Sequence, residues 1–331
     1  MKNPMRISGL VAVATGLLAL FAGCESHAVS STPLTNAQCC AAMPPATEPA
    51  PGQSTFASPA DAVSALVAAI DAKDQQTRLQ ILGPVADDLA SGDPVADANA
   101  RKHFAAKAAE KTSVEMCGDN SAVITIGTND YPFPIPLMKS AAGRWFFDTD
   151  AGKAQILARR IGRNELEAIE VCQTYVVAQR EYASKDRDGS DVLQYAQRFK
   201  SQPGTHNGLV WDAQPGDEPS PLGPLAAEAA AEGYGDKKGP GPHPFHGYIF
   251  HILKEQGPHA PGGAYNYVIN GNMIAGFALI ARPAKYGNSG IMTFLISHTG
   301  KLYEKDFGPN TESVASQIAA YDPDPTWKPV K

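Results

Sequence analysis

Apolar residues Val63, Leu66, Val67 and Ile70 recur at the i, i+3, i+4, i+7 spacing of a helix buried along one face. Ser58 ahead of Pro59 and Asp61 marks its start: a serine oxygen accepts from the first unpaired N–H groups, and proline suits the first helical position. A short helix over 75–82, broken by Gly83-Pro84, follows, then a third over 94–109 behind an Asp93 cap. The period then changes to that of strands. Residues 113–117 and 122–127 alternate or run β-branched around Gly118-Asp119-Asn120, which predicts a hairpin. In 131–137 proline alternates with apolar residues, so this segment supplies only an edge strand or extended chain. Residues 144–148 make the closing strand.

Helix resumes over 150–160. Asn164 is placed to cap a longer helix ending near Ser184, with Glu167 at the reciprocal capping-box position and Leu166, Ile169, Cys172 and Val176 as its apolar face. An irregular stretch rich in Gly and Pro leads to a short Ala-rich helix over 222–232. Strands follow over 247–253, 265–269, 273–281, 291–297 and 302–306, with Asn270-Gly271-Asn272 and His298-Thr299-Gly300 as hairpin turns. The pattern predicts an α+β fold: N-terminal helices packed on a curved antiparallel sheet over 55–160, then a long helix packed on a C-terminal antiparallel meander over 161–331.

The first 23 residues read as an export signal, with Lys2 and Arg6 ahead of an apolar run over 7–21 that is shorter than the ~20 residues a spanning helix needs. Ala22-Gly23-Cys24 resembles the lipobox of bacterial lipoproteins, with Phe21 in place of the usual leucine. Cys24 is the expected lipidation site; simple secretion or a retained single anchor are the other readings. Residues 24–54, with five prolines among Ala, Thr and Ser, read as a flexible tether. Glu25 in place of an aspartate that would resemble a retention signal points to the outer membrane, facing the periplasm.

Removal of 23 residues leaves 308, with 26 basic against 34 acidic residues and a net charge of −8. A chain this acidic, without a basic tract, is a poor partner for nucleic acid, so membrane contact falls to the lipid and the expected partners are envelope proteins. Cys24, Cys39, Cys40, Cys117 and Cys172 lie in an oxidising compartment. Cys117 and Cys172 either bridge the two halves or are two separate buried side chains.

Three clusters carry candidate chemistry. Asp186, Asp188, Ser190 and Asp191 follow the long helix with oxygens at alternate positions, as calcium requires, but Gly189 falls at loop position four and Gln197 at position twelve. The alternative is an Asx-turn that ends the helix. Calcium is the one cofactor that this loop would take. His243, His246, His251 and His259 are possible zinc or copper ligands, or surface and strand histidines. Asp130, Tyr131 and Asp148 are polar groups for the mouth of an apolar N-terminal pocket; in the other reading Trp145, Phe146 and Phe147 fill it. No Gly-x-Ser-x-Gly elbow occurs, and no catalytic residue is assigned.

Element order over 55–150 resembles the cone-shaped fold of the nuclear transport factor 2 and ketosteroid isomerase group. The long helix with its meander resembles the globular part of pilins, without the membrane-inserted half of the pilin helix. Several segments together resemble an uncharacterised bacterial envelope family catalogued as domain of unknown function 2950: Tyr131-Pro-Phe-Pro-Ile-Pro-Leu137, Arg159-Arg-Ile-Gly-Arg-Asn-Glu165, Ala178-Gln-Arg-Glu-Tyr182, Ser220-Pro-Leu-Gly-Pro-Leu225, Gln256-Gly-Pro258, Ala260-Pro-Gly-Gly263, Tyr286-Gly-Asn-Ser-Gly-Ile-Met-Thr-Phe294 and Tyr303-Glu-Lys-Asp306. That family usually carries an Asp-x-Asn/Asp-Gly-Asp-Gly loop, which Asp186-Arg-Asp-Gly-Ser-Asp191 does not keep. The resemblance implies an exported, lipid-anchored protein of two domains and supplies no activity. The functional expectation is therefore a non-catalytic binding or assembly protein. The alternatives are a small-ligand carrier or enzyme using the N-terminal cavity, and a periplasmic metal-binding protein.

Overall fold

The computed structural model describes residues 47–213, 216–235 and 243–330. The segment read as an export signal, with Cys24, Cys39 and Cys40, lies outside the described residues. Helix α1 (Pro59–Asp71) begins as its sequence demands, with Ser58 Oγ accepting from the Asp61 N–H and Ala62, Val63, Leu66 and Ala69 buried. Helix α2 (Gln75–Leu82) is capped by Asp74, and a 3-10 turn over Pro84–Leu89 leads to α3 (Pro94–Glu110).

Strands β1 (Thr112–Met116) and β2 (Ser121–Ile126) form the expected hairpin. β3 (Tyr131–Pro132), β4 (Leu137–Lys139) and β5 (Trp145–Phe147) complete a sheet of order β1-β2-β4-β5, with β3 on β2. The prolines stay ahead of β4, so Leu137 enters the sheet between β2 and β5 and is not restricted to its edge. Phe56 closes the β5 side by exchanging two backbone hydrogen bonds with Trp145. Leu66, Ile81, Ile124, Leu137, Trp145 and Phe147 fill this first core.

The expected break near Gly162 does not occur: α4 runs unbroken over Thr149–Tyr182, capped by Asp148. Gly162 sits on the exposed side, where a glycine costs a helix only about 1 kcal/mol. Packing at both ends outweighs that cost. Ile156 packs on the first core, and Ala168, Cys172, Tyr175, Val176 and Tyr182 lie in a second. Close approach is possible at the first end because Gly152 has no side chain; a Cβ there would lie 2.7 Å from the Pro134 carbonyl oxygen. Leu166, expected on the apolar face, is 68% exposed, because the buried stripe runs through Ala168, Cys172 and Tyr175 instead.

Beyond helix α5 (Gly223–Glu232) come β6 (Tyr248–Leu253), β7 (Glu255–Gln256), β8 (Tyr265–Asn266), β9 (Val268–Ile269), β10 (Asn272–Met273), β11 (Ala278–Pro283), β12 (Thr293–Ser297) and β13 (Leu302–Lys305). Helix α6 (Thr311–Ala315) and β14 (Lys328–Pro329), both absent from the sequence reading, end the chain. The main sheet has the order β14-β13-β12-β11-β6, antiparallel throughout. The predicted strands 265–269 and 273–281 are each split. Buried Tyr267 turns out of line to donate to Gln256 Oε1, and Gly276 bends the chain where a Cβ would strike the Tyr267 and His298 rings.

Cys117 and Cys172 do not pair. Cys172 is free and fully buried in the second core, while Cys117 follows β1 at the hairpin of the first sheet and is disulfide-bonded elsewhere. Burial pushes the Cys172 thiol pKa far up, as for a small core side chain. No described helix is long and apolar enough to cross a membrane.

Candidate functional site

His246 and Gly247 have φ of +48° and +74°, and Phe245 and Tyr248 exchange backbone hydrogen bonds of 2.8 and 3.0 Å. Two successive residues of positive φ between bonded partners are the requirement of a type I′ hairpin turn. The turn holds the His246 ring between two helices: Nδ1 lies 2.7 Å from Glu167 of α4 and Nε2 3.1 Å from Glu232 of α5. Burial disfavours the charged ring, but the hydrogen bond and charge of Glu167, with the charges of Glu232 and Asp93, keep its pKa above the ordinary value. The two carboxylates thus favour the charged form of the ring that lies between them.

Asp93 anchors the same turn. It is fully buried; Oδ1 accepts from the Val95 and Ala96 N–H groups as the α3 cap, and Oδ2 accepts from the Tyr234 hydroxyl at 2.8 Å and the Gly247 N–H at 3.0 Å. Burial and the Asp93 carboxylate together raise the Tyr234 pKa. Along α4 the seam continues. Arg160 binds Asn288, which donates to the Asp88 carbonyl; Asn164 donates to the Ser289 carbonyl; Glu165 accepts from the Ile291 and Met292 N–H groups. Asn164 and Glu167, read as a capping box, are instead the helix's bridges to the C-terminal half.

The other histidines do not join His246. His243 and His251 are exposed, and His259 pairs with Asp322 at 2.9 Å, a contact that raises its pKa. Among the described residues no group of three or more His, Cys, Asp or Glu side chains is placed to hold a metal ion. The aspartate loop is closed on itself: Asp186 accepts from the N–H groups of Asp188, Gly189, Ser190 and Asp191, which lowers its pKa. Asp188 accepts from Ser190 N–H and Gln194. This is the geometry of the Asx-turn reading, with the oxygens of Asp186 directed to its own backbone.

Asp130, Tyr131 and Asp148 line neither of the two grooves described below. Asp130 pairs with Lys111, Tyr131 lies under the Arg159 guanidinium at 4.8 Å, and Asp148 caps α4 while accepting from Thr47. Phe104, Phe133, Trp145 and Phe147 occupy the space between helices and sheet. A groove of about 610 Å³ in this half is lined instead by residues such as Gln53, Gln75, Gln76, Leu79 and Gln80.

A second surface lies along β6 beyond the turn. The register of β6 on β11, with Pro283 opposite Tyr248, directs the backbone groups of residues 249, 251 and 253 to β11 and those of Tyr248, Phe250 and Ile252 away from it. Tyr248 bonds to Phe245 and the Lys254 carbonyl accepts from Tyr267, so the edge is closed at both ends. Between them, Phe250 and Ile252 make no backbone hydrogen bond among the described residues. A groove of about 550 Å³ follows this edge, lined by Gln197, Arg198, Phe199, Phe250, His251, Ile252, Lys254, Glu255 and Ala319. It combines apolar walls with two exposed cations and one carboxylate.

The family described as Protein of unknown function (DUF2950) matches residues 53–330. The chain belongs to this family. The matched span takes in both cores, the His246 turn and the β6 edge. No curated protein and no solved structure matches the chain, so the resemblances to cone-shaped folds and to pilins find no counterpart there.

Proposed function

We propose that this member of the family is a lipid-anchored protein of the bacterial envelope that acts by non-catalytic binding or assembly. The observation that carries the reading is the β6 edge, where the backbone groups of Phe250 and Ile252 have no backbone partner among the described residues, beside a groove of mixed apolar and charged lining. Exposed edges are the usual template for pairing with another chain, and proteins ordinarily blunt them. The polar residues that would otherwise suggest acid–base chemistry, His246, Glu167, Glu232, Tyr234 and Asp93, are bound to one another and to helix ends, as a structural junction requires. Cys24 supplies the anchor and the tether its reach.

The test is cross-linking in native envelopes, followed by purification of the lipidated chain and of Cys24→Ala. The expected result is a reproducible partner cross-linked to the intact protein and loss of Cys24→Ala from the membrane fraction. Turnover of a hydrolase or isomerase substrate, abolished by His246→Gln, would overturn the reading.

A further inference from the structure

We propose that the outer edge of β6 is a docking strand for an extended, acidic peptide segment of a partner protein. The inference deepens the binding reading and depends on it. Closure at Tyr248 and at Lys254 leaves a window centred on half-buried Phe250 and on Ile252, 7% exposed, whose two N–H and two C=O groups point away from β11 and have no backbone partner among the described residues. An extended segment of about five residues spans that window at about 3.3 Å per residue. Main-chain bonding of this kind gives affinity without demanding a particular sequence, and side-chain pockets at alternate positions supply the specificity.

The groove states what those side chains are. Half-buried Phe199 and Phe250 offer apolar contact, while the Ile252 side chain packs into the second core. Arg198 and Lys254, the latter also donating to Gln197 Oε1, are exposed cations on a chain of net charge −6, and Glu255 is the one carboxylate among the lining residues. A second copy of this chain would bring the same two cations to its own β6 edge, so like charges oppose edge-to-edge pairing of two copies. An apolar segment carrying Asp or Glu at alternate positions satisfies both the walls and the cations.

The experiment uses the purified mature chain and a fluorescein-labelled peptide of alternating Val and Glu flanked by Gly, read by fluorescence anisotropy. Three control peptides carry Lys in place of Glu, or N-methyl groups on alternate amides in one register or the other. The acidic peptide is expected to bind at least tenfold more tightly than the Lys peptide, and methylation in the bonding register to weaken it tenfold. The double variant Arg198→Glu/Lys254→Glu is expected to lose at least tenfold in affinity, and Glu255→Lys, which needs no loss of function to be read, to gain severalfold. No measurable binding, equal binding of all peptides, or indifference to these substitutions would overturn the proposal. A partner cross-linked in the envelope through another surface would overturn the docking strand while leaving the binding reading intact.

Discussion

At the start of β6, His246 holds two carboxylates and Tyr248 returns both its backbone bonds to Phe245; a few residues on, the outer backbone groups of Phe250 and Ile252 have no partner among the described residues. The two stretches share a strand and differ in what surrounds them. The first is wedged against α4 and α5, away from much of the solvent, where an unpaired polar group is costly and each one has found a partner. The second faces a groove where water can serve the same groups at little cost. Satisfied polar groups fix the fold, while groups left to solvent can be exchanged for a partner. On this contrast the junction variants should change stability and the groove variants should change binding.

The largest effect is expected for Asp93→Ala, which removes the acceptor for four donors at once. Loss of a cap and of buried hydrogen bonds together should cost about 3 kcal/mol, read as a lower urea midpoint. A cost below about 1 kcal/mol would mean that the junction is not what joins α3 to the β6 turn.

His246→Gln comes next, at about 2 kcal/mol below pH 6.5, because it leaves Glu167 and Glu232 without their shared cation. The folded pKa of His246 is raised, so its stabilisation is complete below the unfolded value near 6.5 and is lost as pH rises through the higher folded value. Wild-type stability should therefore fall on the alkaline side of pH 6.5, and the variant should fall less. His259 titrates in the same direction and should leave some slope. His298, lowered chiefly by burial, acts the other way and at lower pH: its neutral form is favoured in the fold, so acidification through pH 6.5 destabilises. A stability curve for His246→Gln parallel to wild type would break the assignment.

Cys172 should resist alkylation in the native protein and react only on unfolding, measured by peptide mapping, since its thiol is buried and its pKa raised. Labelling at native rates would mean that the second core opens. The smallest stability effect is expected for Arg198→Glu/Lys254→Glu, within about 0.5 kcal/mol of wild type, as both are exposed. A larger loss would make the groove part of the scaffold and dissolve the contrast.

Much of the scaffold was legible along the chain. Ser58 and Asp93 announced their helices, and the 113–127 and 291–306 hairpins formed where apolar alternation met turn residues. The candidate site was less so. Asp93 was visible as a cap but not as the ligand of Tyr234 and Gly247, more than 140 residues away. Glu167 read as a local capping residue because spacing cannot reveal that helix continues through Gly162. The His246-Gly247 pair between Phe245 and Tyr248 was the one local sign of the turn, and the histidine drew the reading toward metal instead.

What the sequence by itself determined is local: helix starts, strand periods, hairpin turns, and a family membership spread over most of the chain. These depend on neighbours within about four residues, where backbone geometry and capping act. Only the tertiary structure decided that one helix serves two cores, that Cys172 is sealed away from Cys117, and that β6 ends the sheet among the described residues. Edge position, burial and ion pairing are properties of which segments meet, and no residue carries that information until the long-range contacts form.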